Sequence, residues 1–388
     1  VQACPDAIAP VLYNARFTLA TIGTSHVLAD IGLLIVSLVL LTIGAEILVR
    51  GSVVLALRLG VSSFFIGLTI VGFGTSAPEL ATGIAAGLND KPDIVIGNVV
   101  GSNILNVALI LGAASLIRPT PVKTHLVKAE VLVVIAISFF VWLLAFTGHQ
   151  ISRVEGALLV AILCVHLVRG YFVGRKEGAD VDPVVETIAQ TADDPTPAHP
   201  TLRQRLSKSA LWNALLIVAG LAILTLSSRL LVDSASSIAR TLGVSELVIA
   251  LTIVAGGTSM PELATSVMAA IRKQSDIAVG NILGSNIFNL CCILGIVSFI
   301  APPSVNEQVL WFDLPVMIAL AIALLPILFT GARISRAEGA ALLTVAVLYT
   351  VTLFTYAPKW FPGSALVTPE ATEETPTPPP ALPDQSPR

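Results

Sequence analysis

The chain has 388 residues, 55% of them apolar and 12% charged, with a formal net charge of −3. Soluble domains carry about 45–50% apolar and about 25% charged residues, so a water-soluble globular fold is excluded. Several stretches run about 20 residues without a charge, the length that crosses a bilayer; the expected partner is lipid, with no nucleic acid and no protein partner indicated.

In chain order, residues 1–29 are mildly apolar, carry Pro5, Pro10 and Arg16, and are read as a separate N-terminal segment. A first unit over 30–173 holds five predicted helices, at about 30–57, 63–88, 93–117, 125–147 and 153–173. Residues 174–207 turn polar and acidic, with Pro183, Pro195, Pro197 and Pro200, the composition of a mobile linker. A second unit over 208–357 holds five more, at about 208–238, 245–271, 276–300, 308–330 and 336–357. Residues 358–388, rich in Pro, Thr and Glu, read as a disordered tail. The cysteines (Cys4, Cys164, Cys291, Cys292) have no metal-ligand spacing, so neither a disulfide framework nor a zinc site is expected.

The two units are copies. Gly74-Thr75-Ser76-Ala77-Pro78-Glu79 recurs as Gly257-Thr258-Ser259-Met260-Pro261-Glu262. Gly101-Ser102-Asn103-Ile104-Leu105-Asn106 recurs as Gly284-Ser285-Asn286-Ile287-Phe288-Asn289, at the same offset of 183 (79 + 183 = 262; 106 + 183 = 289). The offset also pairs Glu130 with Asp313, Gly148 with Gly331, Arg153 with Arg336 and Glu155 with Glu338. A five-helix unit is odd, so its copy enters the membrane the other way round. The expected fold is an all-α membrane protein of about ten transmembrane helices, built as two inverted five-helix repeats. With the N-terminus outside, 15 of the 22 Lys and Arg residues fall on the linker side and 7 on the other, which puts the linker in the cytoplasm and both termini outside.

Glu79 and Glu262 carry the chemistry. Each lies about mid-helix in an otherwise uncharged span, where a charge costs at least about 2.5–3.5 kcal/mol. No Lys or Arg lies within a helical turn of either. Pro78 and Pro261 lack the N–H that the carbonyls of Gly74 and Gly257 need, and a freed carbonyl inside a membrane can face a cation. Thr75, Ser76, Thr258 and Ser259 add hydroxyls one turn away. Ser102 with Asn106, and Ser285 with Asn289, are spaced i,i+4 and share a helical face. The small residues Gly97, Gly101, Gly280 and Gly284 are read as close-packing positions. The set offers only oxygen donors, which suits a hard cation such as Ca²⁺ or Na⁺. Two ionised carboxylates match one Ca²⁺ or two Na⁺, and leaving the site empty buries two like charges, so ions are expected to be exchanged and not leaked.

Other acidic residues have structural readings. Ser152-x-x-Glu155 and Ser335-x-x-Glu338 fit capping boxes, Asp93 and Asp276 sit at helix starts, and Glu130 and Asp313 are placed near the interface. Glu46 with Arg50, and Arg229 with Asp233, are read as intrahelical ion pairs. The histidines match no histidine across the repeat, so no proton relay is expected. An enzyme is not expected: Ser76 and Ser259 have no His or Lys partner in their repeats.

At these motifs the chain resembles the cation/calcium exchanger superfamily, in particular prokaryotic sodium/calcium exchangers, over about 30–357. The resemblance implies a plasma-membrane antiporter exchanging Na⁺ for Ca²⁺, with no cofactor. It implies that helices two, three, seven and eight enclose the site while helices one and six slide. It carries ion-ligand roles to Glu79, Glu262, Thr75, Thr258, Ser76, Ser259, Ser102, Ser285, Asn106 and Asn289, and to the backbone carbonyls of Gly72 and Ala255. Some relatives carry Asp where this chain has Asn106 or Asn289, which leaves H⁺ or K⁺ coupling as the alternative. A non-transporting Ca²⁺ sensor is a further alternative, for which the linker offers no output module.

Overall fold

The structure, a computed structural model, describes residues 9–121, 125–178, 210–242, 255–331, 333–355 and 360. The start of the predicted seventh helix, most of the linker and nearly all of the tail lie outside them.

Helix α1 covers Ala9–Leu59. The second helix is split into α2a (Ser63–Thr75) and α2b (Ala77–Leu88), followed by α3 (Pro92–Ile117). Next come α4 (His125–Gly148) and α5 (Arg153–Gly178). The second unit supplies α6 (Ala210–Thr241), α7a (Ala255–Thr258), α7b (Met260–Ile271), α8 (Ser275–Ile300), α9 (a π-helical turn Val309–Asp313 continuing as Leu314–Gly331) and α10 (Arg336–Thr355). Among the described residues, eight helices are long and apolar enough to cross a membrane, or nine if the bent second helix is one span.

Two boundaries differ from the sequence expectation. Helix α1 begins inside the predicted N-terminal segment, since Pro10 falls in its first turn, where a missing N–H costs nothing. Helix α5 runs past residue 173 into the predicted linker; Gly170 and Gly174 do not stop it because they pack on the Phe65 ring, and Arg175 and Lys176 suit its C-terminal end.

The layers follow from burial. The most apolar-packed span is α8, 89% buried, then α3, 67% buried, whereas α1 is only 28% buried and shows Leu28, Ile35 and Val39 outward. Helices α1 and α6 pack along each other, with Gly220 against the Leu48 backbone, and share one apolar cluster that includes Leu41, Leu48, Ile217 and Leu224. A second cluster joins α3, α4, α5, α8 and α9 through Val99, Ile104, Val134, Leu159, Ile282 and Leu310. Helix α8 lies so close to α2a that a Cβ on Gly284 meets the Leu68 carbonyl oxygen at 2.1 Å, and one on Gly280 meets that of Phe64 at 2.5 Å. Gly97 and Gly101 meet nothing within 4 Å among the described residues; their counterpart stretch, 247–251, is not among these.

Loops are tied on both ends of the bundle. Strands β1 (Thr120–Pro121) and β2 (Arg333–Ile334) pair antiparallel, with Pro121 opposite Arg333. Gln150 bridges Ser304, the same pairing carried across by the 183 offset (333 − 183 = 150; 121 + 183 = 304). Both capping boxes form, with Glu155 Oε2 accepting from the Ser152 N–H and Glu338 Oε2 from the Ser335 N–H, each at 2.7 Å.

Two expectations are corrected. Glu130 and Asp313 are buried, 2% and 5% exposed, and not at the interface. His166 Nε2 lies 3.0 Å from Glu130 Oε2, and the Tyr349 hydroxyl donates to Asp313 Oδ1 at 3.0 Å. His166 and Tyr349 are themselves related by the offset (166 + 183 = 349), so the repeat keeps a buried carboxylate beside a ring while changing the ring. Second, Glu46 pairs with Arg50 as expected and also with Arg272, at 2.6 Å, but no ion pair joins Arg229 to Asp233 among the described residues.

The close backbone approach of α8 to α2a yields a test. Gly284→Val must separate α8 from α2a, an overpacking cost of about 1–3 kcal/mol or more. Its apparent melting temperature in detergent is expected to fall well below that of Gly148→Ala, whose Cβ meets nothing; equal values contradict the close crossing.

Candidate functional site

The two glutamates stand at the starts of half-helices. The second helix bends by 42° between α2a and α2b. Ser76 takes φ −82° and ψ 6° at the break, and Ser259 takes φ −87° and ψ 6° between α7a and α7b. Pro78 and Pro261 follow in the opening turns of α2b and α7b, where proline is best tolerated. Glu79 and Glu262 sit in those same first turns, where free N–H groups and the helix dipole favour a negative charge. Each is 1% exposed.

The hydroxyls are exchanged between the halves. Ser76 Oγ donates to Glu262 Oε1 at 3.1 Å, and Ser259 Oγ donates to Glu79 Oε1 at 3.2 Å. The repeat offset maps one bond onto the other. Thr75 Oγ1 lies 3.5 Å from Ser285 Oγ, and Thr258 ends α7a just before Ser259. Ser102 Oγ lies 3.4 Å from Ser259 Oγ, and Ser285 Oγ donates to the Gly72 carbonyl at 3.3 Å.

Asn106 and Asn289 lie in π-helical turns, Asn106–Leu111 in α3 and Phe288–Ile293 in α8, a local geometry frequent at functional sites. Asn106 Nδ2 donates to Asn286 Oδ1 at 2.9 Å, which leaves its own oxygen unused. Among the predicted ligands, four buried acceptors have no hydrogen-bond partner among the described residues: Glu79 Oε2, Glu262 Oε2, Asn106 Oδ1 and Asn289 Oδ1. A buried polar atom left so costs about 1–3 kcal/mol, more if charged. None of the ion pairs among the described residues reaches either glutamate. Surplus buried acceptors without a cationic side chain are what a hard cation needs.

Not every sequence-predicted group is free. The Gly72 carbonyl accepts from the Ser76 N–H at 3.1 Å as well as from Ser285. The Gly257 carbonyl, released by Pro261, accepts from Ser228 Oγ on α6 at 2.5 Å. The position matching Ser228 on α1 is Ala45, which has no hydroxyl to offer Gly74 (228 − 183 = 45). Ala255 is the first described residue of α7a.

Two positioning residues escaped the sequence reading. Asn98 Nδ2 donates to the Glu79 carbonyl at 3.1 Å, and Asn281 Nδ2 to the Glu262 carbonyl at 3.4 Å. Asn281 also accepts from Thr75 Oγ1 at 3.1 Å and donates to Ser266 Oγ at 2.9 Å. The available signal was the repeat itself, since 98 + 183 = 281.

Comparison with known proteins agrees with the duplication. The sequence profile of the sodium/calcium exchanger protein family matches residues 29–172 and again 212–355, again 183 apart (29 + 183 = 212). The chain is 37% identical over 323 residues to CaxA of Alkalimonas amylolytica, covering 82% of this chain and 97% of that protein. It is 34% identical over 346 residues to the sodium/calcium exchanger MaX1 of Methanosarcina acetivorans, covering 83% and 97%. Among solved structures, the sodium-calcium exchanger NCX_Mj soaked with Na⁺ and Sr²⁺ superimposes with a TM-score of 0.70 at 28% identity, covering 84% of this chain and 99% of that one.

The amide contacts predict an inequality. Asn281→Ala removes three buried hydrogen bonds and Asn98→Ala one. At about 1 kcal/mol per bond, Asn281→Ala is expected to lower the apparent melting temperature the more; the reverse order contradicts the network.

Proposed function

The chain belongs to the sodium/calcium exchanger family, and from that premise we propose that it is a Na⁺/Ca²⁺ antiporter working by alternating access. One observation carries the reading: two buried glutamates, each held by a serine of the other half, present oxygens that no donor among the described residues satisfies. Glu79, Glu262, Thr75, Thr258, Ser76, Ser259, Ser102, Ser285, Asn106 and Asn289 line the ion site, with the carbonyls of Gly72 and Ala255. A Ca²⁺ ion neutralises both carboxylates at once, and Na⁺ ions replace it. The empty site keeps two like charges buried, which makes its reorientation costly and couples the two fluxes.

The proposed architecture is ten crossings in two inverted repeats, and parity supports it. Groups that touch at one membrane face are separated by an even number of crossings. The Ser62 N–H donates to the Gly174 carbonyl at 3.0 Å, with α2 to α5 between them, which supports counting the bent second helix as one crossing. Strand β1 pairs with β2 across α4 to α9, and Gln150 with Ser304 across α5 to α8. Both intervals are even only when the seventh helix also crosses. The charge bias supports a linker in the cytoplasm and both termini outside a prokaryotic plasma membrane.

The test is ⁴⁵Ca²⁺ uptake by proteoliposomes loaded with Na⁺ and diluted into Na⁺-free buffer. Uptake is expected to need only the Na⁺ gradient and to vanish in Glu79→Gln and in Glu262→Gln, both eluting as folded protein. Near-normal uptake in either variant contradicts the site. Uptake driven by a pH gradient, or requiring K⁺, keeps the fold and moves the coupling ion.

A further inference from the structure

We propose that a recess formed by Arg118, Lys273 and Arg333 binds a phosphate-bearing anion at the membrane surface. Arg118 follows α3, Lys273 sits between α7b and α8, and Arg333 opens β2. Together with Pro119, Pro121 and Ser275 they line an open recess of about 240 Å³, and no carboxylate among the described residues lines it. None of the three cationic side chains makes an ion pair or hydrogen bond with another described residue. Ser275 begins α8, whose first N–H groups have no side-chain cap, so a helix N-terminus adds its partial positive charge. Asp276, in the same turn, does not line the recess.

The fold holds these groups together without needing their charge. The β1–β2 pairing brings the Arg118 loop to Arg333, and Lys273 occupies a left-handed turn with φ 64°. The repeat builds the same device at the other end of the bundle. There Gln150 bridges Ser304, and Asp90 takes the left-handed φ of 53°. The residues matching Arg118, Lys273, Ser275 and Arg333 are Ala301, Asp90, Pro92 and Gln150, with no cation among them. A general excess of Lys and Arg on the cytoplasmic side accounts for basic loops. It does not account for three cations, unpaired among the described residues, converging on one recess whose structural twin is neutral to acidic.

The chemistry points to phosphate. Two guanidinium groups offer forked donors, and an ammonium adds a point charge. Recesses of this kind at helix ends bind lipid head groups; free inorganic phosphate offers the same oxygens. A bound anion ties the ends of α3, α7b, α8 and α10, three of which carry the central site. The proposal is independent of which ions that site exchanges.

The experiment is native mass spectrometry of the full-length protein, titrated with phosphatidylglycerol against phosphatidylcholine, and separately with inorganic phosphate in neutral lipid. Wild type is expected to retain phosphatidylglycerol in preference to phosphatidylcholine, with about fivefold weaker retention for each cation removed, from about 1 kcal/mol per surface Lys or Arg. The variants are Arg118→Gln with Arg333→Gln, and Lys273→Gln alone in case the double variant folds poorly. Arg175→Gln with Lys176→Gln, at the end of α5, is the control. Binding of phosphatidylglycerol alone identifies a lipid head group, and competition by phosphate identifies the free anion; either supports the site. No preference in wild type, variants that bind as wild type does, or an equal loss in the control overturns it.

Discussion

The reciprocal hydrogen bonds between Ser76 and Glu262 and between Ser259 and Glu79 are the constraint on which the rest of the structure depends. Neither half can complete its own carboxylate. Each needs a hydroxyl from a helix break in the other, so the two breaks have to meet at the centre of the bundle. The breaks need Pro78 and Pro261 just beyond them, which turns two continuous spans into half-helices whose first turns favour a carboxylate.

Bringing those breaks together requires helices that approach closely. Helix α8 can reach α2a because Gly280 and Gly284 present no side chain to the Phe64 and Leu68 carbonyls. Behind the site, Asn98 and Asn281 clamp the backbone of the two glutamates from α3 and α8. Helices α1 and α6 pack on each other in a second apolar cluster, which also takes in Ile66 and Val71 of α2a, Ala269 of α7b and Ile277 of α8. Polar links join the pair to the seventh helix as well, in the Glu46–Arg272 ion pair and the Ser228–Gly257 hydrogen bond.

Much of this was legible in the chain itself. The doubled Gly-Thr-Ser-x-Pro-Glu run locates the breaks and the carboxylates, because charge, proline and hydroxyls together are costly inside a bilayer unless used. What escaped was set by partners on other helices. The Asn98 and Asn281 amides look like any small polar residue after glycine until their carbonyl partners are seen. Glu130 and Asp313 read as interfacial because the ring that covers each changes from His166 to Tyr349 between repeats, so identity matching passes over it. Ser228 occupies a carbonyl that proline geometry alone leaves free. The extra turns of α1 and α5 reflect end effects, a proline in the opening turn and glycines packed on Phe65, to which hydropathy is blind.

The central claim is that Glu79 and Glu262 form one shared site and not two half-sites. Equilibrium ⁴⁵Ca²⁺ binding to the purified protein in Na⁺-free buffer tests it most directly, with Glu79→Gln and Glu262→Gln measured singly. A shared site predicts one Ca²⁺ per chain in wild type and loss of high-affinity binding in each single variant. Two Ca²⁺ per chain in wild type, with one retained at unchanged affinity in either variant, contradicts it.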